Sequence, residues 1–386
     1  MTGAVSTYSS RYSLRRTGRG PELRRRSWPA LLATLVGSLA FLIVGPGVGD
    51  MWAALARQSA ARAGVRTDYW FAWFAGGTVP GGYSVLGPLV SLLLSVQVMA
   101  VLSTVALTPL VAVAVRGSFR PLAATWTASL VSMASLWSGR VAFAEGGVFA
   151  VLTVIAIRRD RPVLSGVLSG LAVLFSPIAG AFLLLGSAAA AVSTGQHRRA
   201  ALVSAGAGLL ALVVVAALFG QPGPEGFSES AVIAAIGLLA FMPVARPGHT
   251  VRVLLAAALV LVPFLAIVPN GMGSNLLRLI STVLPVAVVA SSRARRILVA
   301  LAVTPALGYA VGSAWKDLSI AAAPMSHLAY YTPLNAELRS IHGLDAYRVE
   351  VVPDGAHTAA YAVLSTAALA GGYETQTRNA LDRVLI

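Results

Sequence analysis

The amino-acid sequence predicts an all-α polytopic membrane protein of about eleven transmembrane helices, ending in a small extracytoplasmic α/β segment. Three observations carry this. Hydrophobic residues make up 57% of the chain and charged residues 11%, against about 25% charged in soluble domains, too few to cover a water-soluble surface. Apolar stretches recur along the chain, each near the roughly 20 residues that span a bilayer as a helix. The net charge of +15 is concentrated in the short connections between them.

In a soluble protein that charge would suggest phosphate neutralisation on nucleic acid. Here the arginines sit between apolar runs, with no basic stripe interleaved with base-stacking aromatics, so no nucleic-acid partner is expected. The lipid bilayer is the partner that composition implies. Positive loops fixing orientation explain the arginines more simply. Lys316 is the only lysine in a chain rich in Ala, Val and Arg, a usage typical of high-GC bacteria, which places the expected membrane as a bacterial plasma membrane. With no cysteine, disulfides, thiolate metal sites and thiol nucleophiles are excluded.

Residues 1–27 form a polar tail with seven arginines from Arg11 to Arg26, expected to be disordered against anionic headgroups. The first apolar run, 29–48, is too long for a cleaved signal peptide and reads as a retained anchor. Further spans are expected at 87–115, 121–137, 141–157, 163–176, 177–194, 200–219, 230–245, 251–268, 276–291 and 297–313. The run 163–194 is interrupted at Ser176-Pro177, which favours two short crossings over a re-entrant hairpin. Together these make a transmembrane domain over 28–313, with an outer loop at 49–86.

Counting charges orients it. With eleven crossings and the N-terminus inside, 19 of the 29 basic residues fall inside, but only Glu22 and Asp160 of the 14 acidic ones. The inside turns carry Arg116 and Arg120, Arg158 to Arg161, Arg198 and Arg199, Arg246 and Arg252, and Arg293 to Arg296. The N-terminus is therefore expected in the cytoplasm, and residues 314–386 outside. That last segment reads as helix (333–341), strand (347–352) and helix (357–370), too short to bury a good core alone and so expected to pack on the membrane domain.

Candidate chemistry clusters on the outer side. Asp50, directly after the first span, is either a carboxylate at a helix start or a general base for an acceptor hydroxyl. Asp68 either caps the aromatic-rich stretch after it or shares an acid/base or metal role with Asp50. The aromatics around it, including Trp73 and Tyr83, make an interfacial belt or a carbohydrate-stacking surface. Arg140 and Glu145 lie at the junction of the third and fourth spans, where ionisable groups are costly and so candidates for function. Arg140 either snorkels to headgroups or grips a lipid-linked phosphate; Glu145 either pairs with it or lies in a polar cavity. The turn 269–278 is Gly-rich and opens a helix, a weak anion-site signal, with Arg278 at its end. No HExxH, Walker, dinucleotide or GxSxG pattern is present. No metal ligand set or cofactor is therefore assigned, although two outer carboxylates are compatible with a divalent metal.

The runs Trp73-Phe74-Ala75-Gly76-Gly77, Pro80, Tyr83-Ser84 and Pro88 resemble a group of actinobacterial polytopic membrane proteins. The likeness continues at Ser138-Gly139-Arg140-Val141-Ala142-Phe143-Ala144, Ser176-Pro177-Ile178-Ala179-Gly180, Gly273-Ser274-Asn275 with Arg278-Leu279, Tyr331-Thr332-Pro333-Leu334 and Arg348-Val349-Glu350-Val351-Val352. That group is similar in architecture to GT-C glycosyltransferases, which move sugars from polyprenyl-phosphate donors to extracytoplasmic acceptors. The resemblance implies an outer-loop carboxylate as base, best matched by Asp50, and basic residues for the donor phosphate, best matched by Arg140 with Arg278. It also implies a polyprenyl-phosphate sugar donor and a cell-envelope glycan acceptor. The chain departs from the group in two ways: members usually continue well past the end of this one, and the Glu145 position is usually apolar. A shortened C-terminal part would imply lost activity or a partner that completes it. A secondary transporter and a non-catalytic accessory subunit remain as alternatives; the first would need ionisable sites near the midplane and related halves, neither of which is conspicuous.

Overall fold

The computed structural model describes residues 20–65, 70–73, 80–193, 195, 197–219, 225–352 and 354–372. Among the described residues, twelve main helices precede the C-terminal segment: α1 (Gly20–Val44), α2 (Gly49–Arg62), α3 (Val96–Ala114), α4 (Pro121–Trp137), α5 (Val141–Arg158), α6 (Pro162–Phe175), α7 (Pro177–Ser193), α8 (Arg198–Phe219), α9 (Glu229–Phe241), α10 (His249–Ile267), the composite α11 (Gly273–Ser291) and α12 (Arg296–Ala321). Seven are long and apolar enough to cross a membrane: α1 from Arg26 onward, α3, α5, α8, α10, α11 and α12. This is an all-α, multi-pass membrane architecture. α6, α7 and the stretch Glu229–Ala245 are shorter apolar helices.

The layout has two recognisable ends. At one, the basic turns touch: Arg158 Nη2 donates to the Arg116 carbonyl at 2.7 Å, Arg120 donates to the Ala294 carbonyl, and Arg293 lies 4.7 Å over the Phe119 ring. The opposite end gathers the start of α2, the α4–α5 turn, the start of α11 and the end of α12. α6 and α7 run between the two ends. The Leu174 carbonyl, at the end of α6, accepts from Val85 N at 2.9 Å, while Ala191 of α7 packs with Ile157 and Ala200 beside the basic turns. Pro177 lacks an N–H and cannot continue α6, and Ser176 is extended between the two helices.

α11 is the central helix, with 72% of its span buried against 17% for the peripheral α8. Its Leu276, Leu279, Ile280 and Leu284 are fully buried within the largest core cluster, shared with α4, α7, α9, α10 and α12. It is not a uniform α-helix: a 3-10 turn (Gly273–Asn275) leads through Leu276–Arg278 into a π segment (Leu279–Val283) and back to α-helix at Leu284. Pro285 just beyond cannot donate a backbone hydrogen bond, which helps to loosen that turn. Elsewhere the helices are joined by small polar side chains. Thr34 Oγ1 of α1 meets Thr108 Oγ1 of α3 at 2.9 Å and Ser129 Oγ of α4 at 2.7 Å, interhelical bonds of about 0.6 kcal/mol each in lipid.

Several boundaries differ from expectation. The tail expected over 1–27 is helical from Gly20; residues 1–19 lie outside the described residues. The run 87–115 is not one helix: a short turn, Gly87–Val90, is followed by exposed Leu92, Leu93 and Leu94 before Ser95 caps α3. α12 runs on to Ala321, so Ser313 and Asp317 are helical residues near its C-terminal end, away from the basic turns. In the C-terminal segment the expected helices are α13 (Thr332–Ser340) and a shorter α14 (Thr358–Leu364), but the strand expected over 347–352 shrinks to a single parallel bridge, Val349 to Leu369. With only Leu369 and its neighbours alongside, that stretch has no ladder to extend.

The C-terminal segment does pack on the membrane domain. Ala56 and Ala60 of α2, Trp70, Trp73, Leu338, Val363 and Leu369 form one cluster, and Trp52 of α2 stacks on Tyr361 of α14 at 5.0 Å.

Candidate functional site

At the end opposite the basic turns, separate elements bring charged groups to a common place. α1 closes on Gly45 (φ 56°), and the chain turns through Pro46-Gly47-Val48 into α2, leaving Asp50 in its first turn. An acid there is favoured by the helix dipole, but the side chain does more than cap. Arg278 Nη2 donates to Asp50 Oδ2 at 3.0 Å, an ion pair whose side chains keep 20% and 18% exposure.

Arg140 arrives by a different device. α4 ends in a Schellman motif: Gly139 N donates to the Leu136 carbonyl at 2.8 Å and Arg140 N to the Ser135 carbonyl at 3.2 Å. Gly139 has φ +73°, and a Cβ on it would meet Val48 Cγ2 at 2.7 Å and Met51 N at 2.8 Å. The turn is therefore pressed against the start of α2, next to Asp50. Arg140 Nη2 donates to Ser313 Oγ of α12 at 2.9 Å, and its charge interacts with those of Arg278, Asp50 and Asp317. Arg140 thus turns into the bundle toward α12, not out to headgroups, and forms no ion pair with Glu145.

Beside the Asp50–Arg278 pair lies a cleft lined by Asp50, Arg57, Tyr83, Ser84, Ser91 and Glu145, with Val96, Met99 and Val141 as its apolar wall. Its volume is ≈ 30 Å³, against the roughly 10–15 Å³ that one water needs. Arg57, 4% exposed, lies 3.6 Å over the Tyr83 ring. Burial pushes the Tyr83 phenol above its usual pKa, and Asp50 adds to the rise, while Arg57 and Arg278 oppose it.

Of the residues singled out in the sequence, Asp50, Arg140, Arg278, Glu145 and Tyr83 meet at this end. Asp68 lies outside the described residues. Trp73 does not line the cleft: it is 1% exposed and stacked on Trp70 at 4.7 Å inside the C-terminal cluster, so it serves packing and not ligand stacking. The Gly-rich turn before Arg278 is not a backbone anion site either. Asn270 Oδ1 accepts from Met272 N and Gly273 N at 2.9 and 2.7 Å, and the Gly226 carbonyl takes Ser274 N at 3.1 Å. Those donors are spent on holding Arg278 in place. The sequence reading passed over Arg57, Ser313 and Asp317; Asp317, directly after Lys316 near the end of an apolar run, carried the clearest signal of the three. Among the described residues no group of three or more His, Cys, Asp or Glu side chains is placed to hold a metal.

His357 links the C-terminal segment to this site. Burial lowers its pKa from the usual 6.5, and the charges of Asp354 and Asp50 pull it partly back. Its folded-state pKa lies below the unfolded value, so the stability it contributes is present above about pH 6.5 and is lost as the pH falls through the folded value. Limited proteolysis of the C-terminal segment is accordingly expected to accelerate as the pH drops from neutral to about 5. His357→Asn, which tolerates the left-handed conformation found there (φ 61°), is expected to flatten that dependence. An equal acceleration in both proteins would refute the role of His357.

Compared with known proteins, the chain matches no family model, and no match is found among curated sequences or solved structures.

Proposed function

We propose that the protein is a GT-C-like membrane glycosyltransferase that moves a sugar from a polyprenyl-phosphate donor to a cell-envelope glycan. The observation that carries the reading is the convergence of Asp50, Arg278 and Arg140 from three separate elements, α2, α11 and the α4–α5 turn. In the proposed topology the eleven apolar helices other than α2 each cross the plasma membrane. The basic turns lie in the cytoplasm, and the carboxylate with its two guanidinium groups faces out, where a glycan acceptor is found.

In the reaction, an acceptor hydroxyl attacks the anomeric carbon and gives its proton to Asp50. The bond between the anomeric carbon and the phosphate oxygen breaks, and polyprenyl phosphate leaves with the bonding electrons. Arg278 and Arg140 neutralise that developing charge. The ion pair supports an order of events: a donor phosphate competes with Asp50 for Arg278, and binding it frees the carboxylate to take a proton. The substrates approach from the partly exposed side of the Asp50–Arg278 pair.

The test is transfer by the purified chain in nanodiscs, supplied with radiolabelled polyprenyl-phosphate pentoses and hexoses and a cell-wall glycan fraction. Label moving into the glycan supports the proposal. No transfer from any donor overturns it; substrate accumulation in proteoliposomes would then indicate a transporter, and co-purification with a larger membrane enzyme an accessory subunit.

A further inference from the structure

The cleft also holds a carboxylate that the proposed transfer does not use. Glu145 lies one turn into α5, is 5% exposed, and its Oε2 has no hydrogen-bond partner among the described residues. Its neighbour Gly146 closes the far side of α5: a Cβ there would meet Ser176 Cβ at 2.7 Å, Ala179 Cβ at 2.8 Å and the Ala172 carbonyl at 3.0 Å. On the cleft side the wall is Gly87, where a Cβ would meet Ser84 Oγ at 2.7 Å and Glu145 Oε2 at 3.2 Å. A glycine at 87 therefore leaves room for both oxygens to border the same space. Ser84 Oγ accepts from Gly87 N at 3.1 Å and Ser91 Oγ donates to the Pro88 carbonyl at 2.6 Å. Each hydroxyl, 2% exposed, retains a lone pair for another partner.

We infer that Glu145, with the hydroxyls of Ser84 and Ser91, forms a binding site for a single monovalent cation, sodium or a proton carried as hydronium. Size admits it: ≈ 30 Å³ exceeds the roughly 10–15 Å³ that one water needs, so a small ion fits. Chemistry favours it as well, since Glu145, Ser84 and Ser91 offer oxygens of the kind hard cations take, and among the described residues no group of three or more His, Cys, Asp or Glu is placed for a divalent ion. Arg57, the cation nearest to competing, lies over the Tyr83 ring. Carboxylates set within apolar helices commonly mark ion or proton pathways.

The other ionisable groups facing the cleft are Asp50 and Arg57 from α2 and Tyr83 from the outer loop. The remaining helices packed on α5 add none. α3, α4, α6 and α7 carry no ionisable side chain, and Arg198 and Arg199 of α8 lie at its opposite end. The ion site is independent of the transferase reading and stands or falls by its own test.

Dicyclohexylcarbodiimide labelling of the full chain in nanodiscs reads the occupant directly. The proton of a buried carboxylic acid passes to one carbodiimide nitrogen and its oxygen bonds the central carbon. Rearrangement then leaves a stable N-acylurea, located by peptide mass spectrometry. Labelling of Glu145 at mildly acidic pH is expected to fall about tenfold when sodium reaches about ten times its Kd, with choline as the control, because roughly a tenth of the sites would remain free. Loss of labelling only on raising the pH, which any carboxylic acid shows because the reagent takes its proton, would exclude sodium as the occupant. In parallel, the thermal midpoint of the wild-type chain is expected to rise with sodium or with falling pH, and Glu145→Gln to abolish the rise. Should Glu145→Gln not fold, Ser91→Ala, which keeps the carboxylate, is expected to weaken the response. Either response, in labelling or in a midpoint shift lost with the variant, supports the site; the absence of both overturns it.

Discussion

Asp50→Asn is expected to lower sugar transfer by about 10²–10⁴-fold, the contribution typical of a positioned general base. Asparagine matches aspartate in size and still offers an oxygen to Arg278 Nη2, which donates to Asp50 Oδ2 at 3.0 Å in the wild type. The variant loses the capacity to hold the acceptor's proton and little else. The structural cost is limited, because the asparagine oxygen keeps the hydrogen bond from Arg278 and the guanidinium remains partly exposed to water. Membrane content and the size-exclusion profile should match wild type while incorporation of labelled sugar collapses. Undiminished incorporation would remove Asp50 from the chemistry.

Replacing either guanidinium should cost nearly as much. Arg278→Gln and Arg140→Gln are each expected to lower kcat/KM by about 10²–10³-fold, since each removes a preformed partner for charge that appears as the phosphate leaves. Lysine should rescue only part of this, because an ammonium offers a point charge where a guanidinium offers a planar fork. The two sites differ in one measurable respect. Arg278 holds Asp50 in the resting protein, so Arg278→Gln and Asp50→Asn should combine to less than the product of their separate effects. Arg140 donates instead to Ser313, so Arg140→Gln should combine with Asp50→Asn more nearly multiplicatively. Equal coupling in both double variants would refute the competition between donor phosphate and Asp50 for Arg278.

Membrane residence was legible in the sequence because lipid selects on composition and length, which any window of twenty residues displays. The turn at Ser138-Gly139-Arg140 was legible in part. A glycine after an apolar run marks a helix end, but its contact with Met51 depends on a helix far away in the chain. The Asp50–Arg278 pair spans 228 residues, and nothing local at either position announces the other. Trp73 misled for the opposite reason: aromatic density is the same signal whether the rings face a ligand or pack a small core. The break before α3 was hidden by three leucines, which read as span by hydropathy while their backbone turns. Glu145 was conspicuous as a charge in an apolar run, but its partner-free oxygen follows from the packing of Gly87 and Gly146.

The π segment after Arg278 has a consequence for the geometry of the whole end of the bundle that holds Asp50. A regular α-helix advances about 100° per residue, so one residue of slack within Leu279–Val283 offsets the two halves of α11 by roughly that angle. The lower half keeps Leu284, Val288 and Val289 turned into the core, and the upper half remains free to aim Arg278 at Asp50. A straight rod would force one of these demands to yield to the other; the loosened turn lets a packing element and a charged arm share one backbone.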